Sequence, residues 1–252
     1  MIKKAIGIVL LMLASALAFG QKAVTRQNLV WYGLTNSIEF NGKWYLQNEF
    51  QERHYINPVA QHQFLMRSHL HRILGQSGWE TSAGMCLFLQ YPNDPLATVK
   101  LRIPELRPHI EFAYQQKFEK LTINHRYRIE TRFFHNTNNS KTALEDSYIL
   151  GAFRFRYRLQ AIINIAQLTR KRYLRLRLSD EIHLNAGKNI VKNPFDQNRI
   201  YGGLHCEILP NLILEVGYLN WFQQNSSGEF YDRDILSLSL FHKIKLTSRR
   251  NT

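Results

Sequence analysis

The chain has 252 residues, 44% of them hydrophobic, which excludes a disordered protein and leaves room for one large domain or two small ones. Lysine and arginine number 33 against 19 acidic residues, a formal charge of +14 that by itself suggests nucleic acid or an acidic membrane surface. Only Cys86 and Cys206 carry thiols, which excludes a disulfide-built scaffold.

The first twenty residues, MIKKAIGIVLLMLASALAFG, set Lys3 and Lys4 before an apolar run from Ala5 to Leu13, then small residues at Ala18 and Gly20. This is the order of a secretory signal peptide, residues 1–20, and it leaves residues 21–252 as a single domain. The apolar run is shorter than the roughly 20 residues of a spanning helix, and no later stretch is long and apolar enough either. No cysteine follows the cleavage region, so a lipoprotein anchor is not expected. Export argues against nucleic acid as the partner of the basic chain.

After the leader, apolar residues recur at every second position, the period of a strand. Segments of this kind lie near 29–40, 44–55, 62–74, 79–90, 104–116, 120–134, 148–165, 172–185, 197–208, 212–222 and 234–246. Most exceed the usual length of about 5–6 residues in soluble sheets. Their connections alternate. Short turns fall at Asn41-Gly42-Lys43, Gly75 to Gly78, near Lys117, Ala166 to Lys171 and Leu209-Pro210-Asn211. Longer loops start at Tyr91, His135, Ala186 and Gln223. Short turns on one side and long loops on the other characterise an outer-membrane barrel, with the short turns periplasmic.

Hairpin register gives a second test, because facing residues must share a side of the sheet. A three-residue turn at Asn41 to Lys43 sets Phe40 against Trp44, Ile38 against Leu46 and Leu34 against Phe50. One at Leu209 to Asn211 sets Ile208 against Leu212 and His205 beside Glu215. Both hairpins match apolar with apolar. The prediction is therefore an all-β, antiparallel up-and-down transmembrane β-barrel. Because bacterial single-chain barrels have even strand numbers, about 12 strands are expected, with 10 as the alternative.

Charge follows the same alternation. In HRYRIETRFF, Arg126, Arg128, Glu130 and Arg132 occupy one face, and Tyr127, Ile129 and Phe133 the other. GAFRFRYRL and YLRLRL repeat the pattern with Arg154, Arg156, Arg158, Arg175 and Arg177. Like charges across a ladder repel, so Glu49, Glu111, Glu130, Glu181, Glu207 and Glu215 are expected as partners. The expected lumen charge network is Arg126, Arg128, Glu130, Arg132, Arg154, Arg156, Arg158, Arg175, Arg177, Glu181, Arg199, Glu207 and Glu215. Such a row suits a solvent-exposed outer face as well as a wet lumen, so a soluble periplasmic lipocalin-like binding barrel is the competing reading. Strand length, export, loop alternation and aromatics at strand ends (Trp44, Tyr45, Trp79, Tyr173, Phe222) favour the outer membrane.

Other chemistry is sparse. His69 and His71 share the lumen face, but Arg67 stands beside them and the Gly75 to Gly78 hairpin places no carboxylate there, so no metal and no cofactor are expected. An outer-membrane lipid-modifying hydrolase would need a Ser/His pair on the outer wall, where Asn36, Asn48, Ser68, His125, Thr131 and Asp180 are the polar candidates. No G-x-S-x-G elbow occurs and no catalytic residue is assigned. Cys86 faces inward and Cys206 outward, too far apart for a disulfide.

Several segments resemble an uncharacterised family of outer-membrane β-barrels of Bacteroidota-type bacteria, described only as a domain of unknown function. They are Glu105 and Arg107 in PELRP, HRYRIETR at 125–132, Arg156-Tyr157-Arg158-Leu159, Asp180-Glu181, FDQNRIYGGL at 195–204 and LEVGYL at 214–219. The resemblance implies a barrel in the outer membrane and carries no activity or ligand with it. One departure lies at the C-terminus, where SLFHKIKL is followed by TSRRNT in place of a final aromatic residue. The expected partners are outer-membrane lipids and the barrel-assembly machinery. The expected role is non-enzymatic: passive passage of small anions, or a structural envelope protein.

Overall fold

The computed structural model describes residues 24–169, 172–187, 190, 193–225 and 228–246; the signal peptide expected at 1–20 lies outside them. Among the described residues there are eleven strands and no helix: β1 (Val24–Asn41), β2 (Trp44–Tyr55), β3 (Ala60–Ile73), β4 (Trp79–Gln90), β5 (Ile103–Lys117), β6 (Leu121–Thr137), β7 (Leu144–Thr169), β8 (Arg172–Ala186), β9 (Phe195–Leu209), β10 (Leu212–Gln224) and β11 (Phe230–Lys245). Each strand pairs with its sequence neighbours, and β1 meets β11 to close a barrel.

The closing seam explains the strand number. An up-and-down barrel with an odd count leaves its first and last strands pointing the same way. Here β1 and β11 pair in parallel, from Val24 opposite Phe230 to Glu39 opposite Lys245. The count of eleven falls between the expected twelve and ten, because a parallel seam removes the need for an even number. β1 also starts at Val24, ahead of the segment read from the sequence.

Two hairpins differ in detail from the expected register. The turn after β1 is Gly42-Lys43, with Asn41 facing Trp44 and a bulge at Phe40. The Asn41 side-chain oxygen holds it by accepting from the backbone N–H groups of Lys43 (2.9 Å) and Trp44 (3.0 Å). Leu34 still faces Phe50 and Ile38 faces Leu46. In the second hairpin Leu212 faces Leu209 rather than Ile208, and the bulge there restores His205 to its place opposite Glu215.

Which face turns inward is decided by closure. Tyr127 (47% exposed) and Ile129 (40%) point outward, while Arg128 (2%) and Glu130 (1%) are buried inside. Phe153, Phe155, Leu159, Leu178, Leu204, Val216 and Leu238 continue the outward apolar belt. This is opposite to a soluble barrel, whose apolar residues fill the inside.

The interior has two unlike halves. Toward the long-loop end it is filled. Leu29, Trp31, Tyr55, Tyr201, Leu219, Trp221 and Ile235 form an apolar cluster across it, with Trp31 and Trp221 edge to face at 5.7 Å. The loop at 91–102 folds over this cluster through Asn93, whose carbonyl accepts from Gln27 Nε2 (2.7 Å) and the Tyr55 hydroxyl (2.8 Å). Toward the short-turn end a cavity of about 900 Å³ opens between Gln76, Gly78 and Lys117 at its rim and Trp31, Leu219 and Arg199 at its floor.

Close packing on the inner wall needs glycine beside Tyr201. The Tyr201 side chain lies against Gly203 and Gly217, where any Cβ would collide with it, and its hydroxyl donates to Glu215 at 2.8 Å. Gly217→Ala is expected to lower stability by about 1–3 kcal/mol, as overpacking does. Gly42→Ala, whose Cβ meets nothing within 4 Å, should leave the urea midpoint of the purified barrel in place. Equal midpoints for the two variants would refute the packing argument.

Candidate functional site

Period-two alternation on β5 to β9 places every second side chain on the inner wall, and many of those side chains are charged. Glu130 is the hub. Its carboxylate lies 2.7 Å from Arg156, 3.4 Å from Arg128 and 3.8 Å from Arg154. Glu181 is a second hub, accepting from Arg126 at 2.6 Å and Arg156 at 2.8 Å, with His183 at 3.6 Å. Glu111 joins them through Arg128 (2.7 Å) and Arg126 (3.7 Å). Removing such groups from water costs several kcal/mol per ion, and shared, well-directed pairing offsets it.

The remaining residues of the set form smaller groups. Arg132 and Arg107 share Glu105 at 2.5 and 2.6 Å, and Arg154 reaches Asp196 at 3.2 Å. Arg175 pairs with Glu207 at 2.5 Å near the short turns. Arg177 makes a two-pronged contact with one carboxylate, Glu215, at 2.9 and 3.0 Å; His205 also bonds Glu215, at 3.0 Å.

Four inner-wall arginines meet no carboxylate among the described residues. Arg53 donates to Gln51 and Gln63, both at 2.6 Å, and lies 3.8 Å above the Trp31 ring. Arg233 donates to Gln27 (2.7 Å), Gln223 (2.6 Å) and Asn93 (3.2 Å). Arg199 donates to Gln197 at 3.0 Å and lies over Trp221 at 4.8 Å. Arg158 has no hydrogen bond or ion pair to any of the described residues, and its Nε is buried. Eight arginines and five glutamates line the cavity, so its wall carries excess positive charge.

Several of these residues lie outside the expected lumen network although their parity puts them on the inner face. Glu105 stands two positions from Arg107, and Arg53 shares its face with Gln51. Arg233 fell just before the segment read as the last strand. Trp31 and Trp221 were missed because apolar residues there occupy both faces of a strand, which blurs the alternation.

The histidines hold one correction. Glu80 does reach the pair: its Oε1 is 2.6 Å from His71 Nδ1 and accepts from the Tyr45 hydroxyl at 2.6 Å. Glu80 faces Ile73 in the register, and its length carries it diagonally to His71. Even so, among the described residues no group of three or more His, Cys, Asp or Glu is placed to hold a metal.

Of the outward polar candidates, all but Thr131 have a polar side-chain partner among the described residues. Ser68 donates to Asn48 at 2.8 Å, Asn36 bonds His242 at 3.1 Å, His125 bonds Tyr157 at 2.9 Å, and Asn198 donates to Asp180 at 2.6 Å. No serine hydroxyl bonds an imidazole among the described residues. Cys86 and Cys206 are both free thiols.

A family model described as a protein of unknown function, DUF2490, matches residues 28–232. Among solved structures, the NanC porin in a rhombohedral crystal form is similar, with a TM-score of 0.51 at 10% identity, over 83% of this chain and 91% of that one. At this identity the likeness concerns the fold alone. None of the curated proteins matches the chain.

Glu130→Gln strips a shared charge from three buried arginines and is expected to cost about 3–5 kcal/mol, the usual effect of removing one partner from a buried ion pair. Urea titration of the folded barrel in detergent measures it. A midpoint unchanged from that of the parent chain would show that Glu130 is not the hub.

Proposed function

The chain belongs to the DUF2490 family of proteins of unknown function, and from that premise we propose that it is a non-enzymatic outer-membrane barrel whose interior is a blind, anion-attracting vestibule. The observation that carries this reading is the inverted polarity of the wall. An outward belt of Phe153, Phe155, Leu159, Tyr127 and Ile129 suits acyl chains, and an inner wall of arginine and glutamate suits water. The porin-like fold supports the same location. In this reading the signal peptide exports the chain, the barrel-assembly machinery inserts it, and outer-membrane lipids surround it.

The short turns then face the periplasm and the long loops face outside. Small anions enter from the short-turn side, drawn by the excess of arginine on the cavity wall, since arginine rings favour anions. They meet a floor at Trp31. Beyond it, Tyr55, Trp221 and the Asn93 loop fill the barrel, which favours a binding or structural role over free passage. The paired outward polar groups favour a non-enzymatic role over a lipid hydrolase.

Planar-bilayer recording of the purified protein tests this. The parent barrel is expected to give no steady current. The combined variant Trp31→Ala, Trp221→Ala and Asn93→Ala is expected to conduct, with anions preferred over cations. A steady current from the parent would overturn the blind vestibule. Phospholipid hydrolysis would overturn the non-enzymatic assignment, and a barrel soluble without detergent would overturn the membrane assignment.

A further inference from the structure

Two pairs of arginines face each other directly across the β6–β7 ladder, Arg128 with Arg156 and Arg126 with Arg158. Like charges in this position destabilise a sheet unless something of opposite charge lies between them. The first pair has its bridge, since Glu130 Oε1 is 3.4 Å from Arg128 and 2.7 Å from Arg156. Among the described residues the second pair has none. Glu181 and Glu111 serve Arg126 at 2.6 and 3.7 Å, and neither pairs with Arg158, although Glu181 faces it across the β7–β8 ladder.

We propose that Arg158, with Arg126 beside it, is the binding site for a small oxyanion-bearing solute, whose carboxylate or phosphate bridges this pair as Glu130 bridges the other. The site deepens the vestibule reading and rests on the cavity being solvent-filled. Arg126, Arg158 and the adjacent Arg177 all line that cavity. A planar guanidinium offers parallel N–H donors that match two oxygens of one anion. Gln160 and Ser179 face each other two positions beyond Arg158 and Glu181 and also line the cavity. Gln160, whose Oε1 accepts from Arg177 Nε at 3.0 Å, offers its amide N–H groups, and Ser179 its hydroxyl, to hydroxyl groups next to the oxyanion. At about 900 Å³ the cavity lies within the roughly 300–1,000 Å³ of small-molecule sites.

Titration calorimetry of the full barrel in detergent, at low ionic strength so that screening does not mask the charge, tests the site with inorganic phosphate, succinate and neutral erythritol. Phosphate and succinate are expected to bind and erythritol not to. Arg158→Gln should weaken phosphate binding roughly tenfold or more, the usual effect of losing a charge-assisted hydrogen bond. Arg158→Glu should abolish binding and raise the urea midpoint, because the new carboxylate pairs with Arg126. That second variant keeps the test decisive if the first folds poorly. Arg72→Gln, which removes equal charge from a side chain stacked on Trp44, should bind as the parent does.

Unchanged phosphate affinity in Arg158→Gln, or an equal loss in Arg72→Gln, would overturn the site. The two proposals fail separately. Binding that tracks Arg158 in a steadily conducting barrel keeps the site and removes the blind vestibule. A silent barrel whose phosphate binding ignores Arg158 does the reverse.

Discussion

A closed sheet of eleven strands has an inner circumference too small for water to solvate every charge that its sequence turns inward. Buried guanidinium groups must therefore share carboxylates, and the sharing sets the order of the interior. Glu130 holds three arginines from two strands, and Glu181 ties β6, β7 and β8 together. These contacts cross ladders that backbone hydrogen bonds already define, so they fix side-chain positions within the register and do not create it.

The same constraint accounts for the two halves of the barrel. Where the wall presents Leu29, Trp31, Trp221 and Ile235, apolar rings fill the lumen without needing counter-charges. The arginines that border them, Arg53, Arg199 and Arg233, are stabilised by ring faces and side-chain amides. Cation–π contact substitutes there for ion pairing. Toward the short turns the rings stand along the wall without filling the lumen, the wall stays charged and a cavity persists. The supply of carboxylates runs short at Arg158, and chemistry from outside the chain has its natural place there.

Much of the barrel was legible in the amino-acid order. Alternation assigns Arg126, Arg128, Glu130 and Arg132 to one face and Tyr127 and Ile129 to the other, and hairpin parity pairs Leu34 with Phe50, as the closed sheet does. Strand parity failed as a guide to strand number, because it assumed an antiparallel seam where β1 and β11 run parallel. The turns were misjudged by one residue each, since a bulge absorbs the extra position without changing which residues face inward. Partners such as Asp196 for Arg154 and Glu80 for His71 were hidden, because they reach diagonally and are set by side-chain length more than by spacing.

Periodicity alone thus determined two faces of opposite polarity for each strand, because successive side chains in an extended chain point to opposite sides whatever surrounds them. It could not determine which face is inside. Only closure of the sheet decided that the arginines turn inward, which of them a carboxylate reaches, and that Trp31 and Trp221 block one end while Arg158, toward the other, meets no carboxylate among the described residues. Those outcomes depend on distances across strands far apart in sequence, such as the 206 positions between Gln27 and Arg233, and such distances exist only once the barrel has closed.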